Sequence, residues 1–365
     1  MEGFAPLPPE PFPVVTSLRP NSNDESPPVL SGSFLGVLAP RLRSLYFDGI
    51  PFLGLRKLLL SAHDLVTLHL WDIPHSGYIS PEAMVTCLST LTTFRLGFRS
   101  PRSYPNRVVR RRPPPLSILP ALISLTFRGV SEYLEDLVFR IDAPVLNMIE
   151  ILFFNQLTFN ITQLPQFIDR LGKFKAFNQA DIVFSENSNM ITLTEPAPTV
   201  VQTRRLTLAI SCRQSDWQLS SLAQICSSSF PSLSTLECLN IYEQPHSRPH
   251  WQDDMENTQW TDLLQPFTAV KELYLSNSIA QRVAPALKEL PMERATGVMP
   301  VLRNVFLVMM EFVPSWPTEE AIEQSVIARQ LFGCPVTVYS RRGRGWVHHP
   351  SPASRSPSIS TYSFP

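Results

Sequence analysis

One apolar pattern recurs along the chain and limits its possible folds more than any other feature. The stretch LVTLHLWDI (Leu65 to Ile73) has the spacing L-x-x-L-x-L-x-x-I, and LRSLYFDGI (Leu42 to Ile50) has the same spacing upstream. The pattern starts again at Leu91 and Leu122, so the first start-to-start separations are 23, 26 and 31 residues. Looser copies follow as VLNMIEILFF (145–154), FKAFNQADIVF (174–184), TRRLTLAI (203–210), LSTLECLNI (233–241), VKELYLSNS (270–278) and LRNVFLVMM (302–310).

A single copy of this pattern is too small to fold alone. Its centre alternates with period 2, which predicts a short strand with Leu68 and Leu70 on the same face. Burying an apolar side chain contributes roughly 1.5–3 kcal/mol. Three or four such residues per copy do not offset the entropy of ordering the whole copy. The copies must therefore stack on one another, which is typical of leucine-rich repeats.

Helical patterns lie between the strand patterns. Residues Pro81 to Leu91 have Ser80 as a candidate N-cap and a proline at the first helical position. Residues Ser131 to Ile141 place Leu134, Leu137 and Val138 on one helical face. The sequence therefore predicts an α/β fold, a leucine-rich-repeat-like solenoid with irregular repeats, in which a curved parallel sheet carries helices on its convex side.

A doubly wound, Rossmann-like sheet is the alternative for a chain that alternates strands and helices. Strands of such a sheet are buried on both faces and consist of continuous apolar runs. Here polar residues alternate with the leucines, as at Thr67, His69 and Arg95, which favours a sheet with one open face.

Composition divides the chain into three parts. It has 36 prolines and only 13 glycines, which indicates short elements separated by proline-bounded connections. We expect an irregular Pro/Ser-rich lead-in at residues 1–40, the solenoid at 41–340 and a disordered tail at 341–365.

The outward positions of the strands are the candidate binding residues. They should line the concave face of the solenoid, and Trp, Tyr and Arg among them are the residue types that dominate protein interfaces. Loops that cover this face are the alternative. The candidates are Arg43, Tyr46, His69, Trp71, Arg95, Arg128, Lys271, Tyr274, Arg303 and Phe306.

The sequence contains no motif for catalysis or phosphate binding, so we predict a non-enzymatic protein without a cofactor. His246 and His250 have the spacing of a zinc pair, but Pro249 between them disfavours a helix, and a solvated loop is the better interpretation. The five cysteines include no C-x-x-C pair, which fits a reducing compartment, cytoplasmic or nuclear.

A basic run offers a second function. Four arginines, Arg107, Arg110, Arg111 and Arg112, could form a nuclear-targeting signal or a nucleic-acid patch. Lys plus Arg (31) equals Asp plus Glu (31), and no aromatic residues are interleaved in the run. A flexible solvated loop is therefore favoured, and nucleic acid is not the expected partner.

Several blocks of the chain resemble a known family. SFLGVLAPRLRSLYFDGIPFLGLRKLLLSAHDLVTLHLWDIP, FRGVSEYLEDLVFRIDAP, FFNQLTF, WTDLLQPFTAVKELYLSNS and AIEQSVIARQLFGCPVTV resemble the repeat region of the large basidiomycete F-box family. The resemblance covers about residues 14–340. It implies repeats that hold a substrate protein for a ubiquitin ligase.

The resemblance does not extend to the F-box itself. Proteins of that family carry the F-box before the repeats and use it to dock a ligase adaptor, and no L-P-x-E-[IL] start precedes Arg19. We therefore expect the substrate-recognition part alone. Its partner is an unknown substrate protein, joined by a ligase adaptor only if an F-box stands upstream. A non-degradative scaffold is the alternative, and no membrane partner is expected.

Overall fold

The protein is described by a computed structural model. It describes residues 16–19, 39–51, 54–85, 88–101, 116–156, 159–195, 204–212, 215–227, 230–249, 251, 257–288, 298–308, 322–324, 326–327, 329–330, 335–342 and 345–349. The chain divides into two compact units. Unit 1 contains residues 1–175 and 204–208, and unit 2 contains residues 176–203 and 209–365.

Unit 1 is a series of parallel strands joined by helices. The five patterns from Leu42 to Phe154 all form strands, which confirms their assignment. The strands are β1 (Ser17–Leu18), β2 (Ser44–Asp48), β3 (Thr67–Ile73), β4 (Thr93–Phe98), β5 (Ser117–Ile118), β6 (Ser124–Gly129), β7 (Ile141–Asp142) and β8 (Met148–Phe154). In order, β2, β3, β4, β6 and β8 pair as parallel neighbours, and β1 pairs with β2.

The helices of unit 1 connect these strands. They are α1 (Leu55–Ser61), α2 (Pro81–Val85), α3 (Ser131–Phe139) and α4 (Gln163–Arg170). The predicted cap of α2 is confirmed, because the Ala83 amide donates to the Ser80 hydroxyl at 3.3 Å. Strands β5, which precedes β6 in the chain, and β7, which follows α3, form a separate two-stranded parallel sheet.

Burial alternates along the strands as the pattern predicts. In β3, Leu68 and Leu70 are buried, whereas Thr67, His69 and Trp71 are half-buried. One face of the sheet thus packs into the core while the other face remains partly open. This alternation, together with the strand order, establishes the leucine-rich-repeat-like α/β fold and excludes the doubly wound alternative.

Unit 2 continues the strand patterns with two antiparallel additions. Its parallel strands β9, β12, β13, β14 and β15 are neighbours in that order, while β10 pairs antiparallel with β9 and β16 antiparallel with β15. The strands are β9 (Gln179–Phe184), β10 (Ser188–Thr194), β11 (Arg205–Ser211, divided between the units), β12 (Cys238–Glu243), β13 (Glu272–Ser276), β14 (Asn304–Val308), β15 (Thr337–Arg342) and β16 (Gly345–His349). The helices are α5 (Ser215–Ser227), α6 (Asn257–Leu264) and α7 (Asn277–Lys288).

The β9–β10 hairpin is not predicted by the repeat pattern, and a buried amide holds it in place. Gln218 of α5 is fully buried, and its Nε2 donates to the carbonyls of Ser185 (2.9 Å) and Cys212 (2.7 Å). Asn189 of β10 in turn donates to the backbone carbonyl of Gln218. These bonds satisfy backbone groups that a turn would otherwise bury unpaired.

The described part of the predicted solenoid at 41–340 falls into two compact units. Beyond residue 340, where composition predicts a disordered tail, residues 341–342 and 345–349 lie in strands β15 and β16. These two strands pair antiparallel with each other, and residues 337–340 of β15 also pair with β14. Such pairing supplies backbone partners that composition does not reveal.

Candidate functional site

The candidate residues of unit 1 form a row across its open face. Register places Tyr46 of β2 beside His69 of β3, and His69 beside Arg95 of β4. The Tyr46 and His69 rings lie 5.5 Å apart, and the Arg19 guanidinium lies 4.3 Å from the Tyr46 ring centre. Cation–π contact of this kind holds an arginine over an aromatic ring while both remain accessible.

Trp71 is positioned by an irregularity in β3 and by a glycine on the next strand. The register of β3 against β4 shifts between Leu70 and Ile73, and Asp72 has a positive φ of 52°. The Trp71 ring then lies directly over Gly97, where a Cβ atom would approach ring atom Cε3 to 2.5 Å. Sequence reasoning missed Gly97, although a glycine inside a strand often marks a close approach.

Arg128 completes a cluster around Trp71 and Asp72. Its guanidinium carbon lies 6.0 Å from the Trp71 ring centre and 5.5 Å from that of Phe154. Asp72 accepts a hydrogen bond from Arg99 Nε at 2.9 Å, whereas Arg128 Nη1 is 3.8 Å from the other Asp72 oxygen. Arg128 Nε is buried without a hydrogen-bond partner in the described part of the chain. Arg128 is thus held mainly by its two aromatic neighbours.

Burial lowers the pKa of His69, and the Arg95 charge lowers it further, while Asp48 acts in the opposite direction. His69 should therefore be neutral at pH 7 and titrate below its ordinary value of 6.5. We expect Arg95→Gln to raise this pKa and Asp48→Asn to lower it further. Titration of the His69 imidazole by NMR measures both shifts, and the same pKa in the two variants would contradict the assignment.

In unit 2 the candidate residues form an aromatic ladder, which we define as Tyr274, Phe306 and Tyr339. These residues are register partners on β13, β14 and β15. The Tyr274 and Phe306 rings stack at 4.3 Å with an interplanar angle of 10°, and Phe306 and Tyr339 stack at 4.9 Å and 15°. All three side chains are half-buried, so the ladder presents one continuous aromatic edge on the open face. Tyr339 was not among the predicted residues.

Acidic and amide groups lie beside the ladder. Asn240, the register neighbour of Tyr274, donates to Asp181 Oδ1, which also accepts from Gln179 Nε2 at 3.2 Å. The Tyr274 hydroxyl donates to Glu272 at 3.2 Å. Burial, followed by the Glu272 charge, raises the pKa of Tyr274 to about 12, so this hydroxyl stays protonated.

Three predicted residues lie outside these rows. Arg43, Lys271 and Arg303 each stand one position before β2, β13 or β14 rather than on the strand. The Lys271 ammonium pairs with Glu237 at 2.5 Å, and Arg43 and Arg303 are exposed. The alternation places them on the core side of the strand, and they reach solvent only because the strand begins after them.

The remaining predicted groups lie largely outside the described residues. Arg107, Arg110, Arg111 and Arg112 belong to residues 102–115, and His250 is also outside. In the ranges that the structure describes, no group of three or more His, Cys, Asp or Glu side chains is arranged to hold a metal ion. None of the helices described there is long and apolar enough to span a membrane.

Comparisons with known proteins do not identify a family for this chain. No known family profile matches the sequence, and no curated protein matches it. Among solved structures, the chain is similar to the leucine-rich repeat-containing protein LegL7 from Legionella pneumophila, with a TM-score of 0.30 and 14% identity over 79% of this chain and 82% of that chain. A TM-score of this size does not establish a shared fold. The class, a leucine-rich-repeat-like α/β repeat protein, is defined by strand order, register and burial alone.

Proposed function

We propose that this protein is a protein-interaction module that binds its partner on the open face of its parallel strands. The aromatic ladder carries the proposal. Three stacked rings offer a large, rigid contact area that loses little conformational entropy on binding. Asp181, Asn240 and Glu272 beside the ladder supply the polar groups that orient a partner.

We further propose that the module is the substrate-recognition part of an F-box-like protein. This step is supported only by the resemblance of the repeat blocks, and it needs an F-box that docks the ligase adaptor. Genomic sequence upstream of the coding region tests it directly. If an in-frame F-box stands there, the longer protein should capture adaptor and cullin; if none does, neither should be captured. Capture of adaptor or cullin by the present chain alone would contradict the assignment of adaptor docking to an F-box.

Variants of the ladder test the binding proposal. Tyr274→Ala and Phe306→Ala should each weaken partner binding by about 2 kcal/mol or more, because central aromatic residues dominate interface energetics. Partners are captured from cells of the source organism with the full chain and identified by quantitative mass spectrometry. The affinity of each purified partner is then measured by calorimetry.

The control is Trp217→Ala, which removes an even larger aromatic side chain that is 48% exposed on α5. This variant should bind every partner as the unaltered chain does. Circular dichroism confirms that each variant is folded. If Trp217→Ala weakened partner binding as much as Phe306→Ala, or if a partner bound all variants with equal affinity, the ladder would not be the binding surface.

A further inference from the structure

Among the described residues, two arginine side chains on the open face of unit 1 carry charge that is balanced only in part. Arg95 is exposed on β4. Arg128 shares the single carboxylate of Asp72 with Arg99. The nearest carboxylate to Arg128 is Asp72 at 3.8 Å, beyond hydrogen-bond distance. The other oxygen of that carboxylate already accepts a 2.9 Å hydrogen bond from Arg99.

Two aromatic rings contact the side chain of Arg128. Its guanidinium carbon lies 6.0 Å from the centre of the Trp71 ring and 5.5 Å from that of Phe154, and Gly97 leaves the space that the Trp71 ring occupies. Packing on two rings restricts the side chain before any partner arrives. The entropy that a free arginine loses on binding is therefore already lost.

The two arginines are spaced to share one anion. Gly97 is the register partner of Arg128, and Arg95 stands two residues before Gly97 on the same strand. From the strand spacing and rise, the Cα atoms of Arg95 and Arg128 are about 8 Å apart. Side chains of this length converge readily on a carboxylate placed between them, and the planar guanidinium matches its two oxygens.

The surrounding charges select the type of anion. Asp48 is the register partner of Trp71, and Glu150 lies two strands from Arg95 in register through Thr126, so carboxylates stand near the two arginines. Nucleic acid needs many cations along its phosphates, and these carboxylates would repel a dianionic phosphate more strongly than a singly charged carboxylate. A singly charged carboxylate fits better.

We infer that Arg95 and Arg128 bind a carboxylate side chain of an extended acidic segment in the partner protein, with Trp71 as the aromatic wall of the site. This inference rests on the proposed function as a protein-interaction module. It concerns unit 1 alone, so its failure leaves the outcome of the ladder variants in unit 2 unaffected.

Labelled peptides with blocked termini and the full-length chain test the inference by fluorescence anisotropy. The probe is Gly-Ser-Glu-Ser-Glu-Ser-Gly, compared with the same peptide carrying Gln or phosphoserine in place of Glu, and with a short oligothymidylate. The Glu peptide should bind, and the Gln peptide should bind about tenfold more weakly or worse, because charged hydrogen bonds are lost. Arg128→Leu and Arg95→Gln should each weaken Glu-peptide binding by a similar factor.

Arg56→Gln is the matched control, since Arg56 is an exposed arginine on α1 of the same unit. It should leave the affinity unchanged. Arg95→Gln decides the result if Arg128→Leu disturbs packing around Trp71, because Arg95 is exposed. Absence of Glu-peptide binding, equal binding of the Gln peptide, or an equal loss in Arg56→Gln would overturn the inference. Tighter binding of the phosphoserine peptide or the oligothymidylate would assign the arginines to phosphate instead.

Discussion

Replacing Glu135 with alanine is expected to lower the free energy of unfolding by about 3 kcal/mol at pH 7. Glu135 lies on α3, but its carboxylate caps the next helix in the chain. It accepts hydrogen bonds from the amides of Gln163 (2.6 Å) and Leu164 (2.8 Å) and from the Thr162 hydroxyl (3.2 Å). The side chain also places a negative charge at the N-terminus of α4, where the helix dipole favours it. Alanine would leave the buried Leu164 amide and the partly buried Gln163 amide without this acceptor.

The effect should depend on pH in a defined direction. Burial raises the pKa of Glu135 above its ordinary value of 4.5, although the hydrogen bonds from α4 oppose the shift. A raised pKa in the folded state means that the folded chain holds the proton more tightly than the unfolded chain. The stability that proton binding by Glu135 contributes is fully present below the ordinary pKa and is lost as pH rises through the pKa of the folded state. The difference in free energy of unfolding between the unaltered chain and Glu135→Ala should therefore become smaller as pH increases above about 4.5.

Urea unfolding across this pH range measures both expectations. Glu132→Ala on the same helix is the control, because Glu132 bonds at the surface to Gln156 and Ser131. We expect it to cost less than about 1 kcal/mol and to leave the pH dependence of the unaltered chain intact. If Glu132→Ala and Glu135→Ala lowered the free energy of unfolding equally, α4 would not depend on the Glu135 carboxylate at its N-terminus.

The strands could be predicted from the sequence because their signal is local. Alternation with period 2 fixes which residues face the core, and each leucine pattern contains that alternation within nine residues, as in LVTLHLWDI. The pairing of β9 with β10 had no such signal, although both strands alternate with period 2 and β9 belongs to one of the predicted patterns. The hairpin depends on Gln218, which lies far along the chain from Ser185. Contacts of this kind between distant positions are invisible to a pattern read along one segment.

Helix α3 shows where amphipathic reasoning stops. The sequence correctly places Leu134, Leu137 and Val138 in the core, but Tyr133, Glu135 and Asp136 are buried as well. Neighbouring helices cover the flanks of α3, so its polar residues meet partners such as Arg140 instead of water. A helical periodicity reports the face toward the sheet and does not report what covers the other sides.

The residues of the open face were predicted only in part for a related reason. Alternation identified Tyr46, His69, Tyr274 and Phe306 as outward residues, but it did not reveal where each strand begins. Arg43, Lys271 and Arg303 were therefore included although they precede their strands. Trp71 depends on Gly97 and on the register shift in β3, which belong to the pairing of two strands and not to either strand alone.

Replacing Tyr133 with alanine should have the largest effect on stability of any change considered, about 4 kcal/mol. The ring is fully buried, and its centre lies 4.8 Å from that of Phe98 and 5.8 Å from that of Phe127. The hydroxyl donates to the Ile79 carbonyl at 2.9 Å. Alanine would lose the transfer energy of the ring and leave a cavity among aromatic rings that cannot all move inward. It would also leave the Ile79 carbonyl unpaired.

Tyr133→Phe separates the two contributions, since it keeps the ring and removes only the hydroxyl. We expect it to cost about 1 kcal/mol, with the remaining loss assigned to packing. The matched control is Tyr46→Ala, which deletes the same side chain from the half-buried open face and should cost less than about 2 kcal/mol. Chemical denaturation followed by near-ultraviolet circular dichroism measures all three. If Tyr46→Ala were as destabilising as Tyr133→Ala, the alternation of core and open face along these strands would not govern stability. In that case, the open-face residues would be needed for folding and could not be assigned to partner binding.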